Sequence, residues 1–572
     1  MSRRQYDTAV SQVIVEHDVP CSARDGTVLR ADVYRPRAAG RYPVLLCRTP
    51  YEKSSGFFAY DAPQLARLGY IVAVQDCRGR GASDGEYQWT YGFPGSAIEP
   101  LDGYDSVEWA ATLEGSTGKV GMFGHSYSAG LAMGAAAEQP PSLAAIFPSG
   151  MTDTHSNMTH GVFETGRRLQ WVFGMAADAR RRAGDPFMPH RREAADEVWA
   201  NVDRHKWIWQ LPLASLPYEF ASTLTPQLQR YFEEVHLDVW DFRPDHGRIK
   251  VPTATVTGWW DRLVNCINNF IGMSDLASTD LRADHRLMIG PWGHTSAEWH
   301  GHLGPRDYGA ESTVIYHEAV AGWFDQHLKG MEPAQKERVS VFILNENRWV
   351  GFDSWPVEGA VPTPFFMDSQ GKANGVSGDG TLVEMPVNSE PDRFTYDPRD
   401  PVMSLMAPDS QAAPRDQSPL DRRRDILVYQ TAPLERDLLC IGPVKLHLWA
   451  SSSAPDTDFT AKLIEVGPDG LAVNLSHAIK RARYRNGFDN PALLDSDAPV
   501  QYVIDMMPVG IRFRKGSRIR LDISSSDFPN FDRNHNTGKD YWTDDEFKVA
   551  NQVVFHDANM PSHIELPVIP DL

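Results

Sequence analysis

Ser126 lies in GHSYSAG, just past the apolar run KVGMF, and a serine at the end of a strand is a candidate nucleophile. A hydroxyl is a poor nucleophile at neutral pH, so it needs a base to take its proton and an acid to hold that base. VTGWWD supplies Asp261 just after a second apolar run, and LMIGPWGH supplies His294 just after a third. The order Ser, Asp, His, each past a strand end, is one that hydrolases with a strand-to-helix nucleophile elbow use. His294 would remove the serine proton during attack and return it to the leaving group, while Asp261 would fix the imidazole tautomer and stabilise the imidazolium. One position departs from the G-x-S-x-G elbow: where the second glycine is expected, Ser128 stands, small but not glycine.

The tetrahedral intermediate of such an attack also needs donors for its oxyanion. The backbone N–H of Tyr127, the residue after the nucleophile, is one. A second must come from the loop after an early strand, here CRTPYEK, where Pro50 stiffens the chain and Tyr51 carries a phenolic O–H. Judged on residue type alone, Tyr51 is a packing residue.

The elements that must position these groups change style along the chain. From about residue 10 to 145, short continuous apolar runs (YPVLLC, YIVAVQD, KVGMF) alternate with helical patterns, as strands buried on both faces of a parallel sheet do. One of those patterns places Tyr104, Val107 and Ala111 on a common helix face. From 146 to 245 the texture is helical and rich in Trp, Arg and His, as in RRLQWVFGMAADARRR and EEVHLDVWDF, with Trp199, Trp207 and Trp209 expected in a core. VPTATVTGWWD and HRLMIGPWGH then restore the strand style. Beyond 353 alternation takes over, as at Val444, Leu446 and Leu448 and at Ile519, Leu521 and Ile523, with turns such as GPDG between runs. The expected fold class is therefore α/β, with the parallel sheet built from 1–145 and 246–352, a helical insertion at 146–245, and an all-β sandwich or jelly roll at 353–572.

Composition narrows the function classes. The chain has 572 residues and a formal net charge of -19, which argues against nucleic acid, since that partner needs a basic face. The N-terminal MSRRQYDTAVSQVIVEHD has no apolar core of signal-peptide type and no later run reaches membrane-spanning length, so a cytoplasmic location is expected and a membrane is not. The five cysteines are scattered and form no C-x-x-C pair, which predicts buried free thiols. HGHLG at 300–304 lacks a further ligand at metal spacing and is expected to be solvated loop, so no metal and no organic cofactor are expected. QDCRGRGASDGE, after a strand, is expected to shape the loop beside the elbow through Arg78, Asp84 and its glycines.

The set RTPYEK, QDCRGRGASDGE, GMFGHSY, GWWD and GPWGH, with SSSAPDTDFTAKLIEV and SSSDFPNFDRNHNTG late in the chain, resembles the cocaine esterase family of serine hydrolases (CocE/NonD type), relatives of X-Pro dipeptidyl peptidases and α-amino acid ester hydrolases. The resemblance runs from roughly residue 10 to 570. It implies an α/β-hydrolase domain with an inserted helical cap and a C-terminal β jelly-roll domain packed over the active site. It implies Ser126, Asp261 and His294 as the triad, and Tyr51 as an oxyanion donor beside the Tyr127 N–H. It implies a tryptophan in the cap, matched by Trp171, as part of an acyl pocket whose second aromatic position is here Leu263.

Departures from the relatives bear on substrate. The family elbow is often G-x-S-Y-L-G, and here Ser128, Ala129 and Gly130 follow Tyr127. Where α-amino acid ester hydrolases place acidic residues after the triad Asp, this chain has Arg262, Leu263, Val264 and Asn265, which leaves a cationic acyl group without a counter-charge. The expectation is a serine carboxylesterase (EC 3.1.1.-) acting through an acyl-enzyme on small-molecule esters with an aromatic or medium aliphatic acyl group. An amidase or acylase, such as a glutaryl-type acylase, using the same triad is the alternative, and a non-catalytic carbohydrate-binding protein a distant one. Arg262, with Arg167 and Arg168, has two readings: solvated arginines paired with an acidic surface, or an anchor for a carboxylated acyl chain. The sequence leaves open whether the chain forms a homo-oligomer.

Overall fold

The structure, a computed structural model, describes residues 12–88, 98–156, 158–234, 238–295, 299–333, 335–405, 414–495 and 497–570. The N-terminal residues read for a targeting signal lie largely outside this set.

Two large sheets organise the chain. The first runs in the order Val13–Ser22, Val28–Pro36, Ile71–Asp76, Tyr42–Thr49, Ser116–His125, Leu143–Ser149, Ala254–Gly258, Arg286–Gly290, Val339–Ile343 and Arg348–Phe352. Its strands are parallel from Ile71–Asp76 through Val339–Ile343, with antiparallel pairings at both edges. Alternate residues feed two separate cores: Val44, Leu46, Val120 and Met122 face helices Ile98–Ala111 and Tyr127–Ala137, while Leu45, Cys47, Val72 and Val74 face helices Gly56–Arg67 and Tyr316–Lys329. Burial on both faces explains why these strands are continuous apolar runs.

The helix at 98–111 corrects one expectation. Tyr104 and Ala111 are only half-buried, and the buried face is Glu99, Asp102, Gly103, Ser106, Val107 and Ala110. Its acids pair with arginines at strand ends, Glu99 with Arg48 at 2.9 Å and Asp102 with Arg78 at 2.7 Å. Paired charges can be buried where lone ones cannot, so apolar spacing alone picks the wrong stripe.

Between Leu143–Ser149 and Ala254–Gly258 the chain leaves the sheet for a helical segment led by Thr165–Ala183. Trp199 and Trp207 are buried there, and Trp209 is half-buried against Phe528, with ring centroids 4.5 Å apart. EEVHLDVWDF, expected to be helical, is helix only at its first residue; Asp238–Asp241 form a strand antiparallel to Thr154–Ser156. Residues 235–237 lie outside the described set.

The second sheet collects the strands from Val361–Asp368 to His563–Val568. Val444, Leu446, Leu448, Ile519, Leu521 and Ile523 lie in its core. In Arg518–Ser524 the alternate residues Arg520 and Asp522 are buried too, closing on each other at 2.7 Å, so this strand is covered on both faces. The same core takes in Leu287 and Ile289 of the first sheet and Trp259 and Trp260 of the loop after Ala254–Gly258, which makes the two layers one continuous body. All five cysteines are buried free thiols.

Candidate active site

Ser126 stands where the strand Ser116–His125 turns into the helix Tyr127–Ala137. Its backbone has φ 57 and ψ -125, a strained conformation for a residue with a Cβ. The Ser126 N–H donates to the Ser149 carbonyl at 2.8 Å, tying the turn to the next strand. The glycine this turn requires is Gly124: a Cβ there would lie 2.4 Å from the carbonyl carbon and oxygen of Ser128. Ser128, buried with its side chain accommodated, is compatible with the close approach, which answers the departure seen in the motif.

Asp261 follows Ala254–Gly258 and His294 follows Arg286–Gly290, both at the same strand ends as Ser126. His294 Nε2 lies 3.0 Å from Ser126 Oγ and His294 Nδ1 lies 2.8 Å from Asp261 Oδ1. Burial alone would raise the Asp261 carboxyl; the His294 ring and the Leu263 N–H, which donates to Oδ1 at 2.8 Å, hold it below the ordinary range. A carboxylate so held favours its ionised form and fixes the proton on Nδ1, leaving Nε2 to accept from the serine.

His125, which the sequence gave no reason to single out, packs its ring 4.7 Å from that of His294. Burial, with His294 beside it, pushes its pKa down to about 3, so the neighbour of the base is neutral. Gly150, at φ 59, leaves the space around these groups: a Cβ there would meet His125 at 2.9 Å, Asp261 Oδ2 at 3.0 Å and His294 at 3.3 Å.

Tyr51 follows the strand Tyr42–Thr49, so a fourth strand end delivers it to the same edge. The indole Nε1–H of Trp171, on the helix Thr165–Ala183, donates to the Tyr51 oxygen at 3.2 Å. An indole N–H can only donate, so the Tyr51 oxygen is the acceptor and its own O–H proton remains to be given elsewhere. The guanidinium of Arg192 lies over the Tyr51 ring at 4.8 Å. Tyr127 opens its helix, so its N–H is a first-turn amide ahead of the i→i−4 ladder, and its ring stacks on Trp171 at 6.4 Å.

The glycine-rich loop has the scaffold part expected of it. Arg78 joins Asp25 and Asp102, and the Asp84 carbonyl accepts the Gly79 N–H. Arg80 donates Nε to the Pro50 carbonyl at 2.8 Å, fixing the peptide just before Tyr51. GWWD carries a further function: Trp259 Nε1 donates to the Phe342 carbonyl at 2.7 Å and Trp260 Nε1 to the Asn474 carbonyl at 3.2 Å. The loop of the triad acid is thus pinned to both sheets.

Leu263 is buried. Arg262 is half-buried and directed away from the surface toward the cap and the C-terminal sheet; Arg167 and Arg168 are nearly enclosed and pair with Glu164. The reading of these three as solvated surface arginines is therefore overturned. A group able to ligate a metal occurs elsewhere: His447, His563 and Glu565, on the strands Leu438–Ser452 and His563–Val568, bring ligand atoms within 4.8 Å of one another. HGHLG forms a small hairpin, His302–Leu303 against Arg306–Asp307, with its histidines exposed.

An α/β sheet with serine, histidine and aspartate in hydrogen-bonded succession at its strand ends defines a serine hydrolase of the α/β-hydrolase fold. Residues 25–296 match the family of X-Pro dipeptidyl-peptidases (S15 family), and residues 332–565 match the X-Pro dipeptidyl-peptidase C-terminal non-catalytic domain. Cocaine esterase of Rhodococcus sp. (strain MB1 Bresler) is 33% identical over 97% of this chain and 98% of its own length. The chain belongs to the family of cocaine esterase. Solved structures share the fold: an α-amino acid ester hydrolase (TM-score 0.78, 24% identity, 99% of this chain and 98% of the other) and an aminopeptidase from a marine sediment archaeon, Thaumarchaeota archaeon (TM-score 0.78, 22% identity, 100% and 98%).

Proposed function

We propose that the chain is a serine carboxylesterase that hydrolyses small-molecule esters with an apolar acyl group, aromatic or medium aliphatic, through an acyl-enzyme. The observation that carries this is the 3.0 Å approach of His294 Nε2 to a serine oxygen on a strained elbow. Ser126 attacks the ester carbonyl as His294 takes its proton. The tetrahedral oxyanion is held by the Tyr51 O–H and the Tyr127 N–H. Collapse breaks the C–O bond and His294 protonates the departing alcohol. Water, deprotonated by His294, then attacks the acyl-enzyme, and the acid leaves with Ser126 restored.

Trp171 and Leu263 line the acyl side in this reading. The absence of a carboxylate at 262–265 supports an ester without a free ammonium over the peptide N-terminus that the X-Pro dipeptidyl-peptidase name implies. The jelly-roll domain acts as a buttress for the Asp261 loop through Trp259 and Trp260. We place the protein in the cytoplasm, working without metal or organic cofactor, with a small-molecule ester as its partner and neither nucleic acid nor membrane. Self-association is read by sedimentation. No helix among the described residues is long and apolar enough to cross a membrane.

Paired p-nitrophenyl esters and p-nitroanilides of identical acyl groups test the reading. Faster turnover of the esters, with Ser126 labelled by a fluorophosphonate, is expected. Equal or faster anilide turnover replaces esterase with amidase, and no labelling of Ser126 removes catalysis altogether.

A further inference from the structure

Arg262 is the charged side chain next to the triad that the esterase reading leaves unused. Its Nε and Nη1 are shut off from solvent and, among the described residues, meet no hydrogen-bond acceptor. The charged groups around it are Glu164, Arg167 and Arg168 of the cap and Asp527 of the C-terminal domain, with His477 and Lys462 beyond. Both nearby carboxylates are already engaged. Glu164 pairs with Arg167, lies 3.5 Å from Arg168 and accepts from Thr159 at 2.8 Å. Asp527 pairs with Lys462 at 2.8 Å and accepts from Asn530 at 2.7 Å. His477, buried beside Arg262, is pushed down to about 4 and carries no charge at neutral pH. Burial draws Arg262 itself down to about 10, which still leaves it protonated.

A guanidinium with enclosed, unmatched N–H groups is costly to keep, and its planar fork is the side chain best shaped for a carboxylate. Its place fixes which carboxylate could reach it. Arg262 lies one residue from the triad acid and one from Leu263, and the cap helix that faces it also carries Trp171, the hydrogen-bond partner of Tyr51. If Trp171 and Leu263 line the acyl side, as the esterase reading has it, an acyl chain whose carbonyl sits at Ser126 runs past them toward Arg262.

We propose that Arg262 binds a carboxylate at the far end of the substrate's acyl chain, so that the preferred substrates are half-esters of short dicarboxylic acids. The proposal rests on the esterase reading and sharpens its acyl group: an apolar stem with an anionic end. The half-ester and one water give the dicarboxylic acid and the alcohol; the ester C–O bond breaks and the new C–O bond comes from water.

Two measurements test this. The first compares kcat/KM for p-nitrophenyl monoesters of succinic, glutaric and adipic acid with that for neutral p-nitrophenyl esters of equal chain length, in the wild type and in Arg262→Met and Arg262→Lys. A preference of about 10- to 100-fold for one carboxylated ester, as expected of a hydrogen-bonded charge pair, should collapse in Arg262→Met and return in part in Arg262→Lys. No preference at any length, or one that survives Arg262→Met, overturns the proposal. Fluorophosphonate labelling of Ser126 checks that each variant is folded.

The second measures calorimetric binding of monophenyl glutarate and of neutral phenyl pentanoate to Ser126→Ala and to Ser126→Ala/Arg262→Met. Tighter binding of the acid that vanishes in the double variant supports the site even if esters prove poor substrates. Equal binding of the two ligands overturns it whatever the turnover. Failure of the esterase reading shows instead as absent turnover of the neutral ester.

Discussion

Asp261 and Arg262 are adjacent in the chain and opposite in circumstance. The aspartate belongs to a region where every charge has its counterpart: His294 at 2.8 Å, the Leu263 amide at 2.8 Å and, through the imidazole, Ser126. The arginine belongs to the seam between cap and C-terminal sheet, where neighbouring acids are taken up by other cations. A finished network sets a reactive geometry before substrate arrives. An unfinished one marks where something from outside is to be fitted. On the proposal made for Arg262, chemistry and selectivity part company within one peptide unit.

The contrast can be broken from its finished side first. Ser126→Ala should cost about 10⁶-fold in kcat, measured on a p-nitrophenyl ester, because the nucleophile acts as a unit with its base. Asp261→Asn should cost ~10⁴-fold while leaving the fold intact, since the amide presents the wrong hydrogen-bonding pattern to Nδ1; circular dichroism alongside kcat separates the two effects. Tyr51→Phe should lower kcat by ~10² to 10³-fold with little rise in KM, as loss of one oxyanion donor does. Trp171→Phe, which removes one hydrogen bond to the Tyr51 oxygen, should reduce kcat several-fold, about the worth of ~1 kcal/mol.

The smallest expected effect concerns acid stability and samples both regions. His125 near the triad is held down to about 3, and His477 near Arg262, with His285, His327 and His535, to about 4, burial being the first cause in each. The unfolded chain binds these protons first, so stability is lost as pH falls below the ordinary histidine value of 6.5. Asp76 and Asp532, raised to about 6 by burial, act in the opposite sense, but carboxyls raised that far are fewer than the histidines lowered to about 3 or 4. The urea midpoint should be lower at pH 5 than at pH 7, and His477→Gln should narrow the gap.

What the sequence disclosed and what it withheld follow the same division. Ser126, Asp261 and His294 were readable because each is attached to a strand whose apolar run shows in a few residues. The cap insertion showed as a change of texture. The contacts of Trp171 with Tyr51 and of Trp260 with Asn474 span 120 and 214 residues, and no local pattern records such a pairing. The helix at 98–111 misled because its buried face carries acids whose partners lie elsewhere in the chain. Arg262 was ambiguous for the same reason: residue type announces a charge, and only packing shows whether it is met. His125 had no signal beyond its place in the elbow.

The hold of the cap on Tyr51 has a consequence for how such a protein can diverge. The indole of Trp171 and the guanidinium of Arg192 both reach the phenol from the inserted segment. In the proposed reaction, a recombination that exchanged whole caps between relatives would therefore remove the partners of an oxyanion donor along with the selectivity it meant to swap. New substrate ranges are reached more safely by point changes at the seam than by trading modules.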